Sequence, residues 1–200
     1  MTGSETKKNT DIMTIIKTSL ILFAVTLVAG ALLAAANYIT APRIKAIDAE
    51  TEKNARLEVL PSASSFTDQT SDGDMTRCEG LDAEGGTVGY VFTHTVKSYG
   101  GNLKFMCGIG VDGAISGIRV LESNDTAGLG QKATEKDWLA QYIGKGGSGF
   151  RFEVVKKGSS PSVPGSGIDA ITGATITSDA LTAGVNEVLE KYESISGGVK

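Results

Sequence analysis

The chain has 200 residues, with 26 Gly, 4 Pro, 2 Cys and a formal net charge of −4. The glycines follow no three-residue period, which excludes collagen, and 40% hydrophobic residues with so small a net charge exclude wholesale disorder. Two cysteines are too few for a disulfide scaffold, and 23 acidic against 19 basic residues argue against a general nucleic-acid binder.

No residue between Lys17 and Arg43 is charged. Residues 18–36 read TSLILFAVTLVAGALLAAA. About 20 apolar residues, rising about 1.5 Å each, cover the roughly 30 Å hydrocarbon core of a bilayer. Ala34-Ala35-Ala36 also fits a small-residue cleavage pattern, so a removed signal peptide is the rival reading. The apolar run outlasts the usual signal core of roughly 7–15 residues, which favours a retained anchor. The expected layout is a cytoplasmic tail over 1–17, a transmembrane helix over 18–39, a juxtamembrane helix over 40–61 and a folded domain over 62–200. Lys7, Lys8 and Lys17 precede the span, while Arg43, Lys45, Lys53 and Arg56 follow it, so charge counts do not orient it. A short tail kept inside, with the large domain exported, is the commoner arrangement for this layout.

Thr40-Ala41-Pro42 reads as a fresh helix start, with Thr40 as a cap and Pro42 in the first turn. Helix formers run over 43–60, and Pro61 ends them. This helix is expected to dock on the domain at its far end. Residues 62–74 read as a loop. Strands are expected at 75–81, 87–96, 103–111 and 115–122, with turns at 82–86, at 98–102 (SYGGN) and at Asp112-Gly113. A short helix around Trp138 is expected over 133–142, a strand over 150–155 and a long loop over 156–167. Leu181, Val185, Val188, Leu189 and Tyr192 lie at helical spacing, which predicts an amphipathic helix over 178–192. Strands in the middle and helices at both ends suggest an α+β domain with an antiparallel sheet and flanking helices.

Conventional catalytic sets are scarce. One histidine cannot make a multi-histidine metal site, and no Walker or dinucleotide motif occurs. His94 lies within a predicted strand, where a structural role outweighs that of a base. Gly108 and Gly110 mark a bend or a close backbone approach. Cys78 and Cys107 could pair, but two buried thiols are the favoured reading. The informative stretch is residues 169–178, DAITGATITS, which ends where the last helix begins. A helix N-terminus offers free amides and partial positive charge, which suit a phosphate. Gly173 and Ala174 permit close approach, and Thr175 and Thr177 supply hydroxyls. The plain alternative is a helix start capped by Thr177 or Ser178. Residues 125–130, DTAGLG, follow a strand and make a small-residue loop suited to a flat ligand or to a simple connection.

Together these segments resemble the FMN-binding domain family, whose members include the RnfG subunits of Rnf complexes and the NqrC subunits of sodium-pumping NADH:quinone oxidoreductases. The resemblance extends over nearly the whole chain. It is carried by the N-terminal anchor, Val59-Leu60-Pro61, Gly89-Tyr90, Asp112-Gly113, Gly128-Leu129-Gly130, Asp137-Trp138 and Asp169…Thr172-Gly173-Ala174-Thr175. The family's loop usually reads Glu-Thr-Pro-Gly-Leu-Gly; here Asp125 stands for the Glu and Ala127 for the Pro. The compact length and motif spacing are similar to the RnfG branch. The resemblance implies FMN joined by a phosphoester to the Thr175 hydroxyl, a bond made by a separate flavin transferase. It implies flavin contacts from Asp169, Thr172, Gly173, Ala174, Thr177, Thr126, Gly128, Leu129 and Gly130. It also implies a single-pass protein of the cell (inner) membrane, with the FMN domain on the extracytoplasmic, periplasmic side. That protein would carry electrons within a complex that couples ferredoxin and NAD chemistry to Na+ or H+ movement, beside other membrane and peripheral subunits. The competing functions are a flavin carrier for a different extracytoplasmic reductase and a non-redox anchored binding module.

Overall fold

The computed structural model describes residues 3–156 and 158–197, with backbone alone described for residues 3–13, Lys45 and Asp72. Residues 1 and 2 of the expected tail lie outside the described residues. The chain divides into two compact units, residues 1–50 and 51–200.

Helix α1 is Gly3–Val59. Within the first unit its apolar side chains, among them Leu20, Phe23, Leu27 and Leu33, are exposed. The helix is long and apolar enough to cross a membrane. Its hydroxyls are satisfied locally: Thr18 donates to the Thr14 carbonyl at 2.6 Å and Thr26 to the Leu22 carbonyl at 3.0 Å, which suits a helix in a medium without water. The expected restart at Thr40 does not occur. Pro42 lies inside α1, and Thr40 donates back to the Ala36 carbonyl at 3.0 Å instead of capping. One proline removes one amide from the ladder, and the helix formers on both sides keep the remaining bonds.

The second unit is built on an antiparallel sheet in the order β1-β3-β4-β5-β6, with β2 also paired to β3. These strands are β1 (Ser65–Phe66), β2 (Thr70–Asp72), β3 (Met75–Leu81), β4 (Thr87–Ser98), β5 (Gly101–Gly110) and β6 (Ile115–Ser123). The sequence reading placed only a loop over β1 and β2, because Ser, Thr and Asp mask strands too short to show alternation. The Asp82 carboxylate holds the β3–β4 turn by accepting the amides of Glu84 and Gly86 at 2.9 and 2.8 Å.

Alternation along β5 sends Phe105 and Cys107 to one face and Met106 to the other. On the first face they meet helix α3 (Thr175–Ser196) through Leu181, Val185, Val188 and Leu189. On the second face Met106, Val91 and Cys78 pack with Ala55, Val59 and Leu60 from the end of α1. Gly108 and Gly117 let that helix end reach the strands, since a Cβ on either would strike Val59 backbone atoms. Ser116 Oγ donates to the Val59 carbonyl at 2.6 Å, satisfying a terminal acceptor of the helix. The Glu58 carboxylate pairs with Arg119 and, at 2.6 Å, with Lys136.

The segment around Trp138 is three short turns: 3-10 helices Gly130–Thr134 and Ala140–Tyr142 flank α2 (Lys136–Leu139). The strand expected over 150–155 shortens to β7 (Glu153–Val155), which pairs in parallel with β8 (Gly167–Asp169), a strand the sequence reading missed. Asn186 takes the place of a strand neighbour before β7: its amide accepts from the Phe152 N–H at 2.8 Å and donates to the Phe152 carbonyl at 3.0 Å.

Candidate functional site

Three segments converge on one cavity of about 490 Å³: the β4–β5 turn, the loop after β6 and the start of α3. Its lining is Tyr99, Asp125, Thr126, Leu129, Gly130 and residues 173–177. The volume falls within the roughly 300–1,000 Å³ range of small-molecule and cofactor sites.

Helix α3 starts at Thr175, three residues earlier than the sequence reading placed it, with Ala174 as N-cap and no side-chain capping bond. Neither Thr177 nor Ser178 is the cap. Ser178 Oγ instead accepts the Ile171 amide at 3.0 Å and donates to the Ala174 carbonyl at 3.1 Å, pinning the preceding loop. The amides of Thr175, Ile176 and Thr177 precede the first intrahelical bond, made by the Ser178 amide to Ala174. An uncapped helix start facing a cavity is an anion site by geometry and by dipole. The Thr175 side chain is exposed there.

The approach is close because two glycines make it so. A Cβ on Gly130 would lie 2.7 Å from Asp125 Cβ and 2.8 Å from Thr177 Oγ1. Gly173 has a φ of +79°, and its Cβ would lie 3.2 Å from Leu129 Cδ2. The Asp125 carboxylate, 4% exposed, is occupied elsewhere: it accepts from Ser98 Oγ at 2.5 Å and from the Gly100 amide at 2.6 Å.

The residues present fit FMN. Leu129, Ile176 and Tyr99 offer apolar surface to a flat ring, while the Thr126 and Thr175 hydroxyls and the uncapped helix start suit its polar groups and phosphate. Among the described residues no Lys or Arg lines the cavity, so the helix start supplies the positive field there.

The FMN-binding domain family matches residues 98–190, a stretch that contains the whole cavity lining. The G subunit of the Na(+)-translocating ferredoxin:NAD(+) oxidoreductase complex of Acetobacterium woodii is 39% identical over 96% of this chain and 99% of its own. The chain belongs to the RnfG family. The G subunit of the ion-translocating oxidoreductase complex of Methanosarcina acetivorans is 28% identical over 92% of this chain and 97% of its own. Among solved structures, NqrC of Shewanella oneidensis aligns at 24% identity with a TM-score of 0.47, covering 68% of this chain and 66% of that one.

The structure brings Thr126, Leu129, Gly130, Gly173, Ala174, Thr175 and Thr177 together at the RnfG-family cavity. It leaves Asp169, Thr172 and Gly128 off the cavity wall. Asp169 works through its backbone, where its carbonyl accepts from Trp138 Nε1 and its amide donates to Gln141 Oε1, both at 2.8 Å. Those bonds tie the Asp137-Trp138 motif to the loop before α3. Gly128 has a φ of +76° and shapes the turn that carries Leu129. Tyr99 and Ile176 were missed, and Asp125 was noted only as a stand-in for Glu. The SYGGN turn looked like a bare connection; only the 25-residue reach from Gly100 to Asp125 reveals its place at the site.

His94 and the thiols lie elsewhere. His94 is buried, with Nε2 2.8 Å from Glu187 Oε2 and its ring edge-on to Phe105, a structural setting. Cys78 and Cys107 are free and sit in the two separate core clusters on opposite faces of the sheet, so they do not pair. Complete burial pushes the Cys107 thiol up to about 12, and burial also raises Cys78.

Proposed function

We propose that this chain is a membrane-anchored electron-transfer subunit that carries FMN covalently on Thr175. The observation that carries the reading is the exposed Thr175 hydroxyl at the first position of an uncapped helix, on the wall of a cavity with an apolar side and, among the described residues, no cation. A phosphate held only by helix amides would be weakly bound, and an exported domain would lose a free cofactor. A phosphoester to Thr175 removes that loss, with Gly173 and Gly130 giving the room for it. The bond forms in a separate flavin transferase reaction with FAD as donor: the Thr175 oxygen, losing its proton, takes the FMN phosphoryl group as the pyrophosphate P–O bond breaks and AMP leaves. Bound FMN supplies the electron-accepting and electron-donating chemistry. The chain's own residues position it: the α3 start stabilises the phosphoryl charge, and Leu129 and Ile176 keep water from one side of the cavity. The redox role calls for no acid or base from this chain.

The names of the relatives support placement in an ion-translocating ferredoxin:NAD(+) oxidoreductase complex. One such relative is named as Na(+)-translocating and another, from Clostridium ljungdahlii, as proton-translocating. This domain sits outside the membrane core, so the ion path belongs to other subunits. Residues 18–39 hold the chain in the cell membrane, with the FMN domain on the extracytoplasmic side. The test is intact mass of the full-length chain after denaturation, expressed with and without the transferase. Wild type and Thr177→Ala gain the mass of an FMN ester only with the transferase, and Thr175→Ala never does. Covalent flavin on Thr175→Ala would overturn the assignment.

A further inference from the structure

Among the described residues beyond residue 50, seven large apolar side chains are exposed: Leu57, Tyr99, Val111, Leu129, Ile143, Val163 and Ile176. Three of them, Tyr99, Leu129 and Ile176, line the one cavity described above. Tyr99 stands out at 72% exposed. It sits at the tip of the β4–β5 hairpin, and among the described residues its ring packs on no other aromatic ring.

A two-residue hairpin tip needs nothing outside itself to close. This one is clamped from outside, on both sides of Tyr99. The Asp125 carboxylate accepts the Ser98 hydroxyl at 2.5 Å with Oδ2 and the Gly100 amide at 2.6 Å with Oδ1. Gly100 lies so flat on the loop that a Cβ there would meet Asp125 Cα at 2.7 Å. Burying a carboxylate is costly unless it is hydrogen-bonded, and the Asp125 carboxylate meets that cost with two bonds to the hairpin tip. What the clamp fixes is the backbone on either side of Tyr99, a residue of the cavity wall.

We propose that Tyr99 is a contact residue for the flavin ring and that Asp125 is the positioning residue that holds it there through Ser98 and Gly100. The inference rests on the flavin reading of this cavity. An aromatic face against the ring adds stacking, and the neighbour of a flavin tunes its electronics. Tyrosine and tryptophan rings in contact with a flavin quench its fluorescence by electron donation, whereas an aliphatic side chain does not.

The experiment uses the full-length chain in detergent, co-expressed with the transferase, with emission normalised to covalent FMN by mass. Tyr99→Leu should raise emission per flavin at least about threefold, while Tyr99→Trp should stay within about 1.5-fold of wild type, because the stacking face is kept. Asp125→Ala should give about half of the Tyr99→Leu rise at equal loading, since it frees the turn without removing the ring. Asp125→Asn keeps an acceptor for the Gly100 amide and should brighten less; it serves if the alanine variant does not accumulate. Midpoint potential, read on the same samples, should shift for Tyr99→Leu and return toward wild type for Tyr99→Trp. Wild-type emission, spectrum and potential in Tyr99→Leu would overturn the contact. Brightening in Tyr99→Leu with none in either Asp125 variant would overturn the positioning role. A wild-type chain without the FMN mass would show instead that the flavin reading itself had failed, and this inference with it.

Discussion

Gly130→Ala adds a single methyl group at the meeting point of two site segments, and the structure sets its cost. The new Cβ would lie 2.7 Å from Asp125 Cβ, 2.8 Å from Thr177 Oγ1 and 3.0 Å from Asp125 Cγ. Neither neighbour is a flexible end that can swing away. Thr177 is 1% exposed on the first turn of α3, and Asp125 is 4% exposed and tied to Ser98 and Gly100. Overpacking of this kind costs about 1–3 kcal/mol. For a domain of this size, about 2–4 °C per kcal/mol gives a fall in Tm of roughly 2–12 °C. The displaced atoms are cavity walls, so covalent flavin loading should fall as well. Differential scanning fluorimetry of the full-length protein, with intact mass on the same sample, measures both. Gly128→Ala is the comparison: nothing lies within 4 Å of its Cβ, but its φ of +76° costs about 1 kcal/mol by backbone strain alone. It should lose stability while keeping its loading. A Gly130→Ala protein that melts with wild type and loads fully would refute the packing of the loop after β6 against the start of α3.

Other outcomes are equally open to measurement. The Cys107 thiol, raised to about 12 by burial against an ordinary value of 9.0, should resist maleimide at pH 8 in the folded protein and react after denaturation. Because its folded value lies above its unfolded one, its contribution to stability is complete below pH 9.0 and declines as pH rises from there toward about 12. The stability gap between wild type and Cys107→Ala should therefore narrow across that window; a constant gap would contradict the burial. Leu60→Ala empties a fully buried position between the end of α1 and the sheet and should cost about 2–5 kcal/mol in chemical denaturation. N-terminal sequencing of the membrane-extracted protein should find the apolar helix retained, and a chain starting at Asn37 would show signal cleavage instead.

The sequence alone determined the parts of this protein whose physics is local. An uncharged run between Lys17 and Arg43 is an apolar helix in any context. Asp112-Gly113 closes a hairpin because Gly113 takes a φ of +79° without penalty. The 3.6-residue spacing of Leu181, Val185, Val188 and Leu189 names the buried face of α3 before any partner is known. Thr175 stands out through the resemblance to the FMN-binding domain family, because a hydroxyl, a glycine and a nearby helix start do not by themselves separate it from Thr177.

Tertiary structure decided what depends on distant partners. Local propensity pointed to a helix beginning at Ser178; it begins at Thr175, because Ser178 Oγ is engaged by the Ile171 amide and the Ala174 carbonyl inside the first turn. Pro42 looked like a helix start because sequence rules weigh one residue, while the ladder on either side of it carries many bonds. The parallel pairing of β7 with β8 joins segments across an intervening loop, and three residues are too few to show a period. Tyr99 and Asp125 are 26 positions apart, and nothing near either one announces the other. Their meeting is made by the antiparallel pairing of β5 with β6, which sets Leu103 opposite Ser123 and so brings the β4–β5 turn beside the loop after β6. A motif can name the atom that carries a ligand, but the walls around that atom come from wherever the fold happens to bring chain together.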